Sequence, residues 1–266
     1  MTATVDSLPL IVASIMSKKI AGGAKGIVID VKTGAGAFLP RLEDSRRLAR
    51  ALVSIGAHLG RRISALITDM SQPLGQMVGN ALEVREAIAT LKGEGPKDLE
   101  DLCCALGAEL LVFADAAPAP AAAAERLRDL LRDRTGLAKF KELVANQAGD
   151  PAVADDPSIL PTAQRLIEVP APRSGTIASL DALAIGRAAS LLGAGRFVKD
   201  EPIDPAVGIE LLHKVGDTVA DGQPLVILHV DDEANLEAAR DLVASAYTIG
   251  TAPATRPKLI LERVTA

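Results

Sequence analysis

The stretch "GIVIDVKTGAGAFLPRLEDSRRLARALVSIGAHLGRRISALITDM" (residues 26–70) decides the fold. Its opening run, "GIVIDV" (26–31), is apolar and of strand length, and "RISALITDM" (62–70) is a second such run. Between them, "PRLEDSRRLARALVSIGAHLG" (40–60) has the pattern of an amphipathic helix, with Gly60 placed to stop it. A strand, a helix and a parallel strand in that order make a right-handed crossover unit, so this part of the chain reads as α/β.

Toward the C terminus the pattern turns helical, through "GNALEVREAIATLKG", "PKDLEDLCCALGAELLVFADA" and "AAAAERLRDLLRDRTGLAKFKELVANQAG" (about 79–147). The run "APAPAAAA" (117–124) reads as a connection at the start of the next helix. A loop rich in Pro and Asp, "DPAVADDPSILP" (150–161), marks the best boundary in the chain. Beyond it lie short strand candidates in "RSGTIASL", "GIELLHKVGDTVADGQPLVILHV" and the terminal "KLILERV", with helices near 180–192 and 232–247. That composition is an α+β module.

Composition limits the function classes. The 266 residues are 48% hydrophobic and 24% charged, ordinary for a globular chain of one or two domains with a sizeable core. Only 2% are aromatic and none is Trp, which leaves no stacking platform for bases. The net charge of -5 argues equally against a nucleic-acid partner. Cys103 and Cys104 are neighbours in a helical pattern and cannot readily close a disulfide, so both read as buried small apolar residues. The early apolar run "LPLIVASIM" is too short to span a bilayer and has no basic residue before it, so the expectation is a cytoplasmic protein without membrane contact.

Several local motifs could carry chemistry. If residues 8–21 are helical, Ser14 and Lys18 stack on one face with Ile11 one turn earlier, and Lys19 points about 100° away. Taken alone, a basic last turn merely complements the helix dipole. The segment "DVKTGAGAF" (30–38) lacks the third glycine of a dinucleotide fingerprint and the Gly-Lys-Ser/Thr ending of a P-loop, so it reads as a structural turn. Glu83 and Glu86, three apart, could hold a cation or be two exposed helix glutamates. His58, His213 and His229 are too dispersed to suggest a metal site. The turn "VGDTVADGQPL" (215–225) also occurs in the hammerhead-like modules of biotinyl and lipoyl carriers. Such a carrier needs an exposed lysine at a hairpin tip, and Lys199, Lys214 and Lys258 have no such setting, so the module reads as scaffold.

Three segments together carry a resemblance. "TVDSLPLIVASIMSKKIAGGAKGIVIDVKTGAGAF", "ALITDMSQPLGQMVGNALEVREAI" and "VGDTVADGQPL" are similar to the pyrimidine nucleoside phosphorylases, especially those acting on thymidine. The resemblance runs from residue 2 to the C terminus. It implies an α/β core with a helical middle over 22–155, a hinge at 22–24, a remnant of a small helical domain over 1–21, and a C-terminal α+β module with a hammerhead-like β region over 156–266. It implies phosphorolysis, in which phosphate attacks C1′ of a pyrimidine nucleoside and the base leaves. By the family's pattern Ser14 and Lys18 contact the base, Lys18 as the catalytic cation, and Ile11 packs beside it.

The same resemblance carries a monovalent-cation site, for potassium, onto the Leu74 and Met77 carbonyls and the Glu86 carboxylate, and implies no organic cofactor. It leaves homo-oligomerisation open. Relatives have, upstream, a "KTDKHSTGG"-like phosphate loop, a base-contacting arginine and most of the helical domain. The 266 residues contain none of these, so the expectation is the C-terminal 60% or so of a phosphorylase, with the N-terminal half as its principal partner. On this expectation the cation site is weak and the chain alone inactive. The alternative is a non-catalytic fragment that only folds and associates.

Overall fold

The computed structural model describes residues 7–266, so Met1–Asp6, and with them the first residues of the segment that opens at Thr2, lie outside the described residues. The fold is mixed α/β. In chain order come α1 (Leu8–Ala21), β1 (Gly26–Thr33), α2 (Leu42–His58), β2 (Arg62–Asp69), β3 (Met77–Val78), α3 (Asn80–Leu91), α4 (Lys97–Phe113), α5 (Pro120–Arg132) and α6 (Thr135–Asn146). Two short 3₁₀ turns follow, then β4 (Arg165–Pro170), β5 (Gly175–Leu180), α7 (Ala182–Leu191), β6 (Gly208–Leu211), β7 (Thr218–Val219), β8 (Pro224–Val230), α8 (Leu236–Ala246), β9 (Tyr247–Gly250) and β10 (Ile260–Thr265). Among the described residues no helix is long and apolar enough to cross a membrane.

The chain forms two compact units that interleave along the sequence. One comprises the part up to Met70, Asp101–Arg128 and Lys258–Ala266; the other comprises Ser71–Glu100 and Asp129–Pro257. In the first, β1 and β2 pair in parallel from Gly26↔Arg62 to Thr33↔Asp69. Ile27, Ile29 and Val31 face α2, which buries Leu48, Ala49, Leu52 and Val53 at helical spacing against them. Gly56 lets the helix approach closely, because a Cβ there would come within 2.6 Å of the Ile63 side chain. α2 ends as the sequence indicates: Gly60 sits at φ +66, and the Arg61 amide donates to the Gly56 carbonyl at 3.0 Å.

The terminal "KLILERV" departs from expectation. It does not join the other C-terminal strands, since β10 pairs antiparallel with β2, from Ile260↔Thr68 to Thr265↔Ser64. Charged contacts hold it there: Arg46 grips the Glu262 carboxylate, and Arg263 Nε donates to Glu109 at 2.6 Å. The cysteines also differ from expectation. Cys104 is buried but Cys103 is exposed, because adjacent positions on α4 lie about 100° apart and only one can face the core.

The second unit holds two antiparallel sheets, with strand orders β3-β6-β8-β4 and β7-β5-β9. Its main core joins Ile177, Ile209, Leu211, Leu225 and Leu228 of the strands to Ile185 of α7 and Val243 of α8. β8 is central in its sheet and reads "PLVILHV", a nearly continuous apolar run, as burial on both faces requires.

Candidate active site

α1 is amphipathic in a narrow sense. Val12 and Met16, four apart, are buried in the core with Ile29 and Leu52. Ser14 lies about 200° around the helix from Val12, so it and Lys18 emerge on the far side. Both are exposed, and Lys18 Nζ donates to Ser14 Oγ at 2.9 Å. Lys19 is exposed on a different bearing. The helix stops where the Gly22 amide bonds to the Lys18 carbonyl at 3.0 Å and Gly23 takes φ +77, with nothing near the position its Cβ would fill.

Beside that face lies an open hollow of about 650 Å³, lined by Leu10, Ile11, Ala13, Ser14, Ile15, Ser17 and Phe38. Leu10 and Phe38 are 47% and 59% exposed. The structure thus brings Ile11 and Ser14 to one surface and Lys18 to it through Ser14. Sequence reasoning missed Phe38. The available signal was an aromatic in a chain with four Phe, at the end of a glycine turn.

That turn is internally satisfied. Gly34 N donates to Pro40 O (3.1 Å), Gly36 N to Met70 O (2.9 Å) and Ala37 N to Gly34 O (3.0 Å). Ser45 Oγ closes it from α2 by donating to the Lys32 and Leu39 carbonyls, each at 3.2 Å. Amides directed inward in this way do not form an anion nest, so the segment is the structural turn that its sequence suggests. Lys32 itself is tied at 2.6 Å to Asp30 and at 3.1 Å to the Thr68 hydroxyl.

The 74–77 loop, in the other unit, is a different kind of place. Glu86 is buried rather than exposed, which corrects the reading of two exposed helix glutamates. Its Oε1 accepts from the Gln76 and Met77 amides at 2.6 and 3.2 Å, and Oε2 lies over Gly75, where a Cβ would approach to 2.2 Å. Gly75 adopts φ +67, so that position tolerates glycine alone. Burial pushes the Glu86 carboxyl up from its ordinary value, with the two amides acting in the opposite direction. Lys214 Nζ donates to the Gly75 carbonyl at 2.9 Å and to the Asp98 carboxylate. The Glu86 carboxylate is a hard oxygen donor of the kind a hard cation takes, while the Gly75 carbonyl is engaged by the Lys214 ammonium. Among the described residues no cluster of three His, Cys, Asp or Glu is arranged for a metal. Glu83, exposed, accepts from the Gly79 amide at 3.2 Å at the start of α3.

The histidines have separate local roles. His58 Nδ1 lies 2.7 Å from Ser54 O, and His213 Nε2 lies 2.9 Å from Gln223 Nε2. His229, buried in β8, has no hydrogen-bond partner on either ring nitrogen, and Glu210 stands 3.6 Å away. The 215–225 turn carries Asp221 and Gly222 at its tip, and its nearest lysine, Lys214, is held by Gly75 and Asp98.

Residues 1–139 match the family model described as "Glycosyl transferase family, a/b domain", and residues 176–250 match "Pyrimidine nucleoside phosphorylase C-terminal domain". The chain is 50% identical over 266 residues to a pyrimidine-nucleoside phosphorylase of Bacillus subtilis and 47% identical to one of Geobacillus stearothermophilus. Each match covers 99% of this chain and 60% of the relative. A Staphylococcus haemolyticus relative of the same name is 48% identical over 264 residues. The chain therefore spans about 60% of the length of the curated relatives it matches.

Proposed function

The chain belongs to the pyrimidine nucleoside phosphorylase family, and from that premise we propose that it is part of a thymidine phosphorylase-like enzyme. The reaction is attack of a phosphate oxygen on C1′ of thymidine or a related pyrimidine nucleoside. The C1′–N1 bond breaks, its electron pair passes to the pyrimidine, and a pentose 1-phosphate and the free base result.

The observation that carries the reading is the 2.9 Å contact from Lys18 to Ser14 at the rim of the apolar hollow. Because Ser14 Oγ accepts from the ammonium, its hydroxyl proton is free to donate outward, and the ammonium has two further protons. The Ser14 hydroxyl, which lines the hollow with Ile11 and Phe38, and the ammonium bonded to it suit a flat pyrimidine whose ring gains negative charge as it leaves. Donors aimed at that charge stabilise the transition state more than the ground state. Gly22 and Gly23 serve as the joint that lets this helix close on the phosphate.

A monovalent cation such as potassium, held weakly by Glu86 with the Leu74 and Met77 carbonyls, would fix the 74–77 loop when bound. The proposed location is the cytoplasm, a compartment in which cysteines such as Cys103 and Cys104, which form no disulfide, stay reduced.

The 266-residue chain by itself is proposed to be inactive. The glycine turn spends its amides internally and supplies no phosphate cradle, and phosphate must be held and aligned for attack. The test is thymine release from thymidine and phosphate, by the chain alone and by the chain mixed with the separately made remainder of the Bacillus subtilis relative. Release only on mixing supports the proposal. Release by the chain alone refutes the inactivity, and no release from a mixture that binds favours the alternative, a non-catalytic association partner.

A further inference from the structure

Three charged side chains from separate stretches of one compact unit converge on Gly75: Glu86 of α3, Asp98 at the start of α4, and Lys214 beyond β6. The Asp98 carboxylate accepts from the Gly75 amide at 3.3 Å and from the Leu99 amide at 2.9 Å. The Glu86 carboxylate lies against the same glycine, so close that a Cβ there would meet Oε2 at 2.2 Å. Lys214 completes the group, its ammonium bonded to the Gly75 carbonyl and to Asp98. The three act on one another as well as on the loop: after burial and the two amides, Asp98 pushes the Glu86 carboxyl up and Lys214 pushes it down.

The neighbouring acid, Asp217, is matched separately: Arg256 pairs with it at 2.6 Å, and it accepts from the Lys214 amide at 2.9 Å. What remains around Gly75 is two carboxylates and one ammonium, a net charge of one negative unit. Because the ammonium is engaged by Asp98, that unit resides on Glu86, whose Oε1 accepts from both the Gln76 and Met77 amides. β3 turns a further oxygen the same way. Leu211 N donates to Gln76 O, so the alternation of the strand turns the next residue, Met77, away from β6, and its carbonyl emerges on the side where its amide meets Glu86. Carbonyl and carboxylate oxygens on one side repel each other unless a cation stands between them.

Charge then decides which cation. The affinity of an oxygen site for a hard cation follows the number of charged ligands, and a charge withdrawn from water is costly unless it is balanced. A monovalent ion brings this cluster to neutrality, whereas a divalent ion leaves it one unit positive. We propose that Lys214 is the specificity-determining residue of the Glu86 cation site: by neutralising Asp98 it holds the site at one negative charge and so selects a monovalent over a divalent ion. The proposal rests on the cation site argued above for its location.

The experiment titrates calcium chloride into the whole 266-residue chain at constant ionic strength, and reads binding by calorimetry and by the rise in unfolding temperature. Lys214→Gln removes the charge and keeps an N–H for the Gly75 carbonyl. It should bind calcium about tenfold or more tightly than the wild type, and Glu86→Gln in that background should abolish the gain. Lys214→Gln combined with Asp98→Asn restores the net charge of the wild type and should return calcium affinity to the wild-type level. A merely structural role for Lys214 would not be rescued in this way, since the double variant loses both members of the ion pair. Lys214→Met, which removes the same charge, takes the place of Lys214→Gln if that variant does not fold. No gain in calcium affinity on removing the ammonium overturns the proposal, as does a gain that survives in the double variant or in Glu86→Gln. A calcium gain without thymine release from the mixture would keep this assignment and sink the proposed activity; release without the gain would do the reverse.

Discussion

Lys18 on α1 and Lys214 beyond β6 carry the same ammonium group in opposite surroundings. Lys18 is exposed and bonded to a hydroxyl four residues away on its own helix. Lys214 has 15% of its side chain exposed and ties Gly75 and Asp98, 139 and 116 residues distant, to its own loop. A charge left at the surface with unspent protons can serve a ligand. A charge withdrawn from water must be satisfied by the protein, and it then serves the fold. The contrast predicts which measurement each substitution will move.

The largest effect is expected at Lys18. In an assembly containing the remainder of the family chain, Lys18→Ala should lower kcat/KM by about 2–4 kcal/mol in transition-state terms, with thermal stability unchanged. A comparable loss of stability would break the contrast. Lys214→Met should do the converse, removing about 2 kcal/mol of folding stability in denaturant titration, because Asp98 and the Gly75 carbonyl lose their partner. An unchanged unfolding midpoint would show that the 74–77 loop does not depend on that ammonium.

A smaller effect is expected at His229. Burial holds its pKa below the ordinary histidine value, against the opposing pull of Glu210 and with Arg85 lowering it further. The unfolded chain therefore takes up the proton first. The stability contribution is complete above about pH 6.5 and is lost as pH falls from there through the folded-state value. Wild-type protein should lose stability on acidification across this range more steeply than His229→Leu, and parallel pH profiles would contradict the assignment. The smallest effect belongs to Lys19: on a different bearing from Ser14, Lys19→Ala should change kcat/KM by no more than about 0.3 kcal/mol. Equal losses at Lys18 and Lys19 would show that the helix face has been misassigned.

The parts of this molecule legible from its residues are those governed by local period. Alternation and helical spacing gave β1, α2 and β2 with nearly their observed ends. The four-residue step from Ser14 to Lys18 is likewise a local fact, and the hydrogen bond between them follows from helix geometry. β3, with two residues, and β9, with four, carry too short a pattern to register, and β4, "RLIEVP", is mostly exposed and weakly patterned.

What the sequence by itself determined, then, is the α/β crossover, the succession of helices and the shared face of Ser14 and Lys18, because each depends on residues within a few positions of one another. Only the tertiary structure decided that β10 leaves the C-terminal strands to pair with β2, that Phe38 stands beside α1, and that Lys214 reaches the Gly75 carbonyl. Each of these joins groups far apart along the chain or through a turn of irregular backbone. Such contacts are selected by what the assembled core leaves open, and that is a property of no single stretch.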